Sequence, residues 1–63
     1  MTDISVLAKE IDALHLKEKE RRVVTVDGRD YLRLTFHPAE GETRDRVYLV
    51  WAEDWTTYWK RMA

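Results

Sequence analysis

Apolar residues at Ile4, Leu7, Ile11 and Leu14 follow a 3-4-3 spacing, which returns to one side of an α-helix, with Ala8 beside them. Lys9, Asp12 and Lys17 fall elsewhere on the same wheel. The stretch TDISVLAKEIDALHLKEKERR is therefore read as an amphipathic helix opened by Thr2 or Asp3, whose side-chain oxygen can accept from an orphan N–H of the first turn. Leu16 lies off the stripe, so it is either exposed or the helix frays near it. The alternating charges of KEKERR read as a solvated helix end, with a partner-binding patch as the less favoured alternative.

The period then changes. In RRVVTVDGRDYLRLTF two β-rich runs flank Asp27-Gly28, a pair that supplies the positive φ of a tight hairpin turn. A two-residue loop would place Val24 and Val26 on the face of Tyr31 and Arg33. A loop of odd length places them with Leu32, Leu34 and Phe36, leaving Val23, Thr25, Tyr31, Arg33 and Thr35 outside. A one-residue slip exchanges the two faces. The second choice separates apolar from polar better, so a Val26-Asp27-Gly28 loop with Gly28 in a left-handed bulge position is expected.

HPAEGETRD reads as a loop, since Pro38 lacks a donor and Gly41 marks a turn. RVYLVW is a third strand, expected to point Val47, Leu49 and Trp51 inward and Tyr48 and Val50 the other way. Glu53 or Asp54 can cap a final helix in which Trp55, Tyr58, Trp59 and Met62 form a stripe at i, i+3, i+4 and i+7. Thr56, Thr57, Lys60 and Arg61 face away from that stripe, and the two cations suit the negative end of the helix dipole. The predicted fold is α+β: α-β-β-β-α, a three-stranded antiparallel meander with two helices packed on one face. Residues 1–63 form a single small domain in this reading.

Composition narrows the chemistry. With 63 residues, hydrophobic packing must hold a domain of marginal size, and the absence of cysteine excludes disulfides and thiolate metal sites. His15 and His37 are too far apart in the chain to show a metal-ligand spacing. Charged residues are plentiful at 37% but sum to −1, so the chain carries no overall basic footprint of the kind nucleic-acid binders show. No run approaches a membrane span, and the N-terminal segment lacks the basic and apolar regions of a secretory signal. A cytoplasmic protein is expected.

Two surfaces compete as sites. The terminal aromatic stripe is first a candidate for the core, because each aromatic ring buries roughly 150–250 Å². A three-stranded sheet is nevertheless too narrow to cover two helices fully, so part of the stripe can lie at the edge of the core. Trp55, Tyr58, Trp59, Lys60 and Arg61 are thus the first candidates for partner contact, since tryptophan, tyrosine and arginine dominate interface hot spots. The outer sheet face, with Tyr31, Arg33 and Tyr48, is the second, and its aromatic and basic composition also suits stacking of single-stranded bases. Its plainer reading is a solvated β-surface.

Catalysis finds little to work with. Ser5 is the only serine and lies near a helix start, His37 sits in a loop, and His15 falls on the helical apolar arc. Two glycines form no phosphate-cradling motif. No catalytic residue, cofactor or metal is assigned. The sequence points to a non-enzymatic protein-interaction module, an inhibitor or adaptor, that binds a larger protein or self-associates as a homodimer. Single-stranded nucleic acid is a disfavoured alternative partner, and a structural subunit of a larger assembly is a third reading. In type alone, the chain resembles the accessory proteins of bacteriophages and mobile elements.

Overall fold

The computed structural model describes the backbone of residues 1–62 and the side chains of residues 1–60. Its elements run α1 (Ile4–Leu14), β1 (Glu18–Val26), β2 (Arg29–Phe36), β3 (Arg46–Trp51) and α2 (Ala52–Met62). The strands form one antiparallel sheet in the order β1-β2-β3. Leu7 of α1 and Trp55 of α2 share one core with Leu32, Leu34, Phe36, Tyr48 and Val50, so both helices lie on the same face of the sheet. This is the α+β arrangement that the alternation of helical and strand periods predicts. The far side of the sheet carries no described element.

The first helix is shorter than its charge pattern suggests. Asp3 caps it, accepting from the Ser5 backbone N–H at 2.8 Å and from the Ser5 hydroxyl at 2.7 Å. These bonds hold the Asp3 carboxyl below its usual value, the Ser5 hydroxyl contributing most. At the other end His15 turns left-handed, with φ 51° and ψ 46°, and the Leu16 N–H donates back to the Ile11 carbonyl at 3.1 Å. A reversal of this kind brings the residue after the left-handed position against the last turn of the helix. Leu16 is accordingly buried and Ile11 packs against the same cluster. Leu16 leaves the helical stripe because the helix has already ended. His15, which falls on the apolar arc of the predicted helix, is the exposed capping residue instead.

All of KEKERR but Lys17 therefore belongs to β1, and none of it to a helix end. Its alternating charges suit an outer strand: Glu18 accepts from Arg21, Glu20 from Arg22, and Lys19 reaches Asp45 at 2.8 Å. The His37 N–H bonds the Lys17 carbonyl at 2.9 Å, tying the start of β1 to the end of β2.

The hairpin takes the even loop. Val26 pairs with Arg29, and Asp27 and Gly28 both adopt positive φ, 52° and 75°. The three-residue loop expected from the sequence is corrected by the turn itself, because two successive left-handed residues match the right-handed twist of the flanking strands. Leu32, Leu34 and Phe36 still face the core, but Val24 and Val26 share the opposite face with Tyr31 and Arg33.

The third strand is also reversed. Leu34 pairs with Tyr48 and Leu32 with Val50, so Tyr48 and Val50 are buried while Val47, Leu49 and Trp51 point outward. Trp55 supplies the indole of the core from α2, which begins directly after β3. Phe36 and Tyr48 close the far end of the core edge to face, centroids 5.6 Å apart.

Candidate functional site

The outer face of the sheet collects the side chains that the helices do not need. Across it run the rows Val24–Tyr31–Trp51, Arg22–Arg33–Leu49 and Glu20–Thr35–Val47, with Val26 and Arg29 beside the turn. Val47 is 56% exposed and Leu49 39%, and Val26 is exposed as well. The molecule measures 16 Å along its shortest principal axis, about the depth of one sheet and one helical layer. Nothing among the described residues covers this face.

Its end nearest the hairpin turn is organised. Tyr31 meets Trp51 edge to face at 5.4 Å between centroids, and the Arg29 guanidinium lies over the Trp51 ring, 3.5 Å from its centroid. Arg29 also holds Glu53 at 2.7 Å, so the second residue of α2 anchors the cation above the ring. Arg22 is bonded to Glu20, whose carboxyl this contact lowers. Arg33 forms no ion pair among the described residues. The surface is thus an aromatic pair, an aliphatic margin and three guanidinium groups, two of them already paired with a glutamate.

Of the second-ranked sequence candidates, Tyr31 and Arg33 occupy this face and Tyr48 does not. Tyr48 lies in the core, where its hydroxyl accepts from Arg46 Nη1 at 3.0 Å and where burial, above all, pushes its pKa up. Arg46 in turn holds Glu42 at 2.5 Å, and Glu10 of α1 stands 3.8 Å away. This group fastens the 37–45 loop to the helix side of the sheet.

The first-ranked candidates on α2 separate by depth. Trp55 is core at 2% exposure, Tyr58 is half-buried, and Trp59 is 48% exposed with Lys60 exposed beside it. Trp55 contacts Tyr58 and Trp59 at centroid distances of 5.6 and 5.4 Å, so the exposed indole rests on the buried one. Trp55, expected at a contact surface, is corrected to a core ring that reaches the surface only in the wall of a groove beside Arg21, Thr56, Trp59 and Lys60. The side chains of Arg61 and Met62 lie outside the described residues.

Sequence reasoning missed Trp51, Leu49, Val47 and Arg29 as members of the outer face. The signal was present in Asp27-Gly28, the residue pair that a two-residue turn favours. Fixing that loop at two residues moves Val24 and Val26 outward, and a sheet with one covered face then sets the register of β3 by its neighbours.

Among the described residues no helix is long and apolar enough to cross a membrane, and no three His, Asp or Glu side chains converge as metal ligands would. No family model, curated protein or solved structure matches the chain.

Proposed function

We propose that this chain is a small non-enzymatic protein-interaction module, an adaptor or inhibitor, that docks on a larger protein through the outer face of its sheet. The observation that carries the reading is the uncovered Val24–Tyr31–Trp51 row with Arg29 stacked on it and Leu49 and Val47 alongside. At ~3.3 Å per residue and ~4.8 Å between strands, six residues on three strands span roughly 280 Å² in projection. That face carries Arg22, Arg33, Glu20 and Thr35 as well as its apolar side chains, and the largest exposed apolar patch of a small protein is often its interaction site. The composition fits as well, because interface cores favour tyrosine, tryptophan and arginine. Cytoplasmic residence is the matching proposal on location, supported by the lack of cysteine and checked by cell fractionation.

The test is capture by the immobilised chain from a lysate of its source organism, run beside Trp51→Ala, with mass by light scattering across concentration. A protein retained by the native chain and released by Trp51→Ala supports the reading. A strict monomer that retains nothing, or retains the same proteins after Trp51→Ala, removes it.

One observation favours a second reading. Tyr31, Trp51 and three arginines on an open sheet form the kind of platform on which single-stranded bases stack. Glu20 and Glu53 pair with two of those arginines, which is why this reading ranks below the first. It requires affinity for a homopyrimidine oligonucleotide that falls as salt rises. Absence of binding at low ionic strength eliminates it.

A further inference from the structure

We propose that the free edge of β1 accepts an extended acidic peptide as a fourth strand, its carboxylate seated in the groove between β1 and α2. This site is separate from the outer face and does not rest on the reading given to that face.

The edge is open in two senses. Strand β1 lies at the end of the sheet, and each of its nine residues except Val24 is exposed, Val23 at 66%. Its backbone orientation follows from the other edge. The Leu49 carbonyl accepts from the Thr2 N–H at 2.8 Å, so Leu49 directs its polar groups away from β2. Antiparallel alternation then turns Arg33 toward Arg22, and turns the backbone groups of Arg21, Val23 and Thr25 outward from the sheet. The side chains of those three residues fall on the helix side, opposite Leu34, Leu32 and Asp30. An added strand would thus meet unpaired N–H and C=O groups, and alternate side chains of it would enter the space beside α2.

That space is built for an anion with an apolar neighbour. An open groove of about 440 Å³ is lined by Arg21, Trp55, Thr56, Trp59 and Lys60. Arg21 lies over the Trp55 ring at 5.6 Å and gives Nε and Nη2 to Glu18, leaving Nη1 outside that pair. Lys60 adds a second cation. Trp55 Nε1 is a buried donor with no partner, the only such side-chain atom among the described residues. Buried polar atoms are nearly always satisfied, so this N–H, on a ring that lines the groove but itself below the surface, is an exception in the core beside it. Val23 and the exposed face of Trp59 offer an apolar seat next to these groups. Since side chains on one face of a strand recur every second residue, the fitting ligand carries Asp or Glu and an apolar residue two positions apart.

The probe is a displayed random octapeptide library selected on the immobilised full chain, with the selected peptide resynthesised and titrated by fluorescence anisotropy. Selection should enrich an acid-x-apolar pattern, and Asp→Asn or Glu→Gln in the peptide should weaken binding by about tenfold, the loss of a charge-assisted hydrogen bond. Val23→Pro removes an outward N–H without removing a bond of the sheet, a substitution that edge strands tolerate, so it should weaken binding at least as much. Lys60→Glu and Trp59→Ala, both at exposed positions, carry the same test if Val23→Pro alters the circular dichroism. Trp51→Ala should leave affinity unchanged. No enrichment, indifference to the acid-to-amide change, or loss with Trp51→Ala in place of Val23→Pro would overturn the assignment. So would a dimer abolished by Val23→Pro, which would give the edge to a second copy of the chain.

Discussion

Single residues set the ends of the elements, and two of them do so under strain. His15 and Asp27 are the two non-glycine residues with positive φ among the described residues, at 51° and 52°. A left-handed residue with a Cβ costs roughly 1–2 kcal/mol, which glycine avoids at the expense of a more flexible unfolded chain. His15→Gly is therefore expected to stabilise the fold by about 0.5–1 kcal/mol, read as a higher urea midpoint at unchanged slope. The tryptophans give a sharper contrast at the same scale. Trp55→Ala empties the centre of the core and should cost about 3–5 kcal/mol. Stability at ~0.05–0.15 kcal/mol per residue leaves little beyond that in a chain of this length. Trp59→Ala removes a ring already half in solvent and should cost far less. Equal losses in urea denaturation would contradict the depth assigned to the two indoles.

Elements show where sequence reading succeeds. The 3-4-3 stripe of α1, the strands and the α+β order were legible because each is a local periodicity. The helix end was not, because a left-handed histidine looks like any other residue on a helical wheel. The faces of β1 and β3 were misjudged for a related reason. Apolar side chains were assigned inward by count, yet β3 has Tyr48 and Val50 on one side and Val47, Leu49 and Trp51 on the other, and the smaller set is buried. What decides is the partner row on β2 and the indole arriving from α2, neither of which the local pattern contains. Of the site residues named from sequence, Tyr31, Arg33, Trp59 and Lys60 stand on accessible surface or partly so, while Trp55 and Tyr48 are core. A helix cap and a loop tether also predict a pH response. The Asp3 cap lowers its carboxyl through Ser5, and the Glu42 carboxyl is lowered mainly by its hydrogen bonds from Arg46. A carboxyl depressed in the folded state contributes stability above its ordinary value, 3.8 for Asp3 and 4.5 for Glu42, and loses it as pH falls through and below that value. The melting temperature should thus fall on acidification below about pH 5, and Arg46→Met should flatten that dependence without shifting it to alkaline pH.

For the whole molecule, the single layer of helices leaves the sheet with one dry face and one wet one, and the wet face leaves Val26, Val47 and Leu49 exposed. Trp51 there is held by Tyr31 and Arg29 rather than by a core, and Val47 and Leu49 gain little from their positions in the isolated chain. Substitution at an exposed strand position away from buried features usually moves stability by no more than about 0.5 kcal/mol. A lysine at 49 would stand beside Arg33, adding like charge in the middle of the proposed contact. Leu49→Lys should therefore leave the melting temperature within a few degrees of the native chain while abolishing capture of the partner. The informative pairing is thermal melting and capture on the same preparation. If Leu49→Lys unfolds the chain, the outer face is a structural surface. If it melts normally and still captures the partner, the contact lies elsewhere on the molecule.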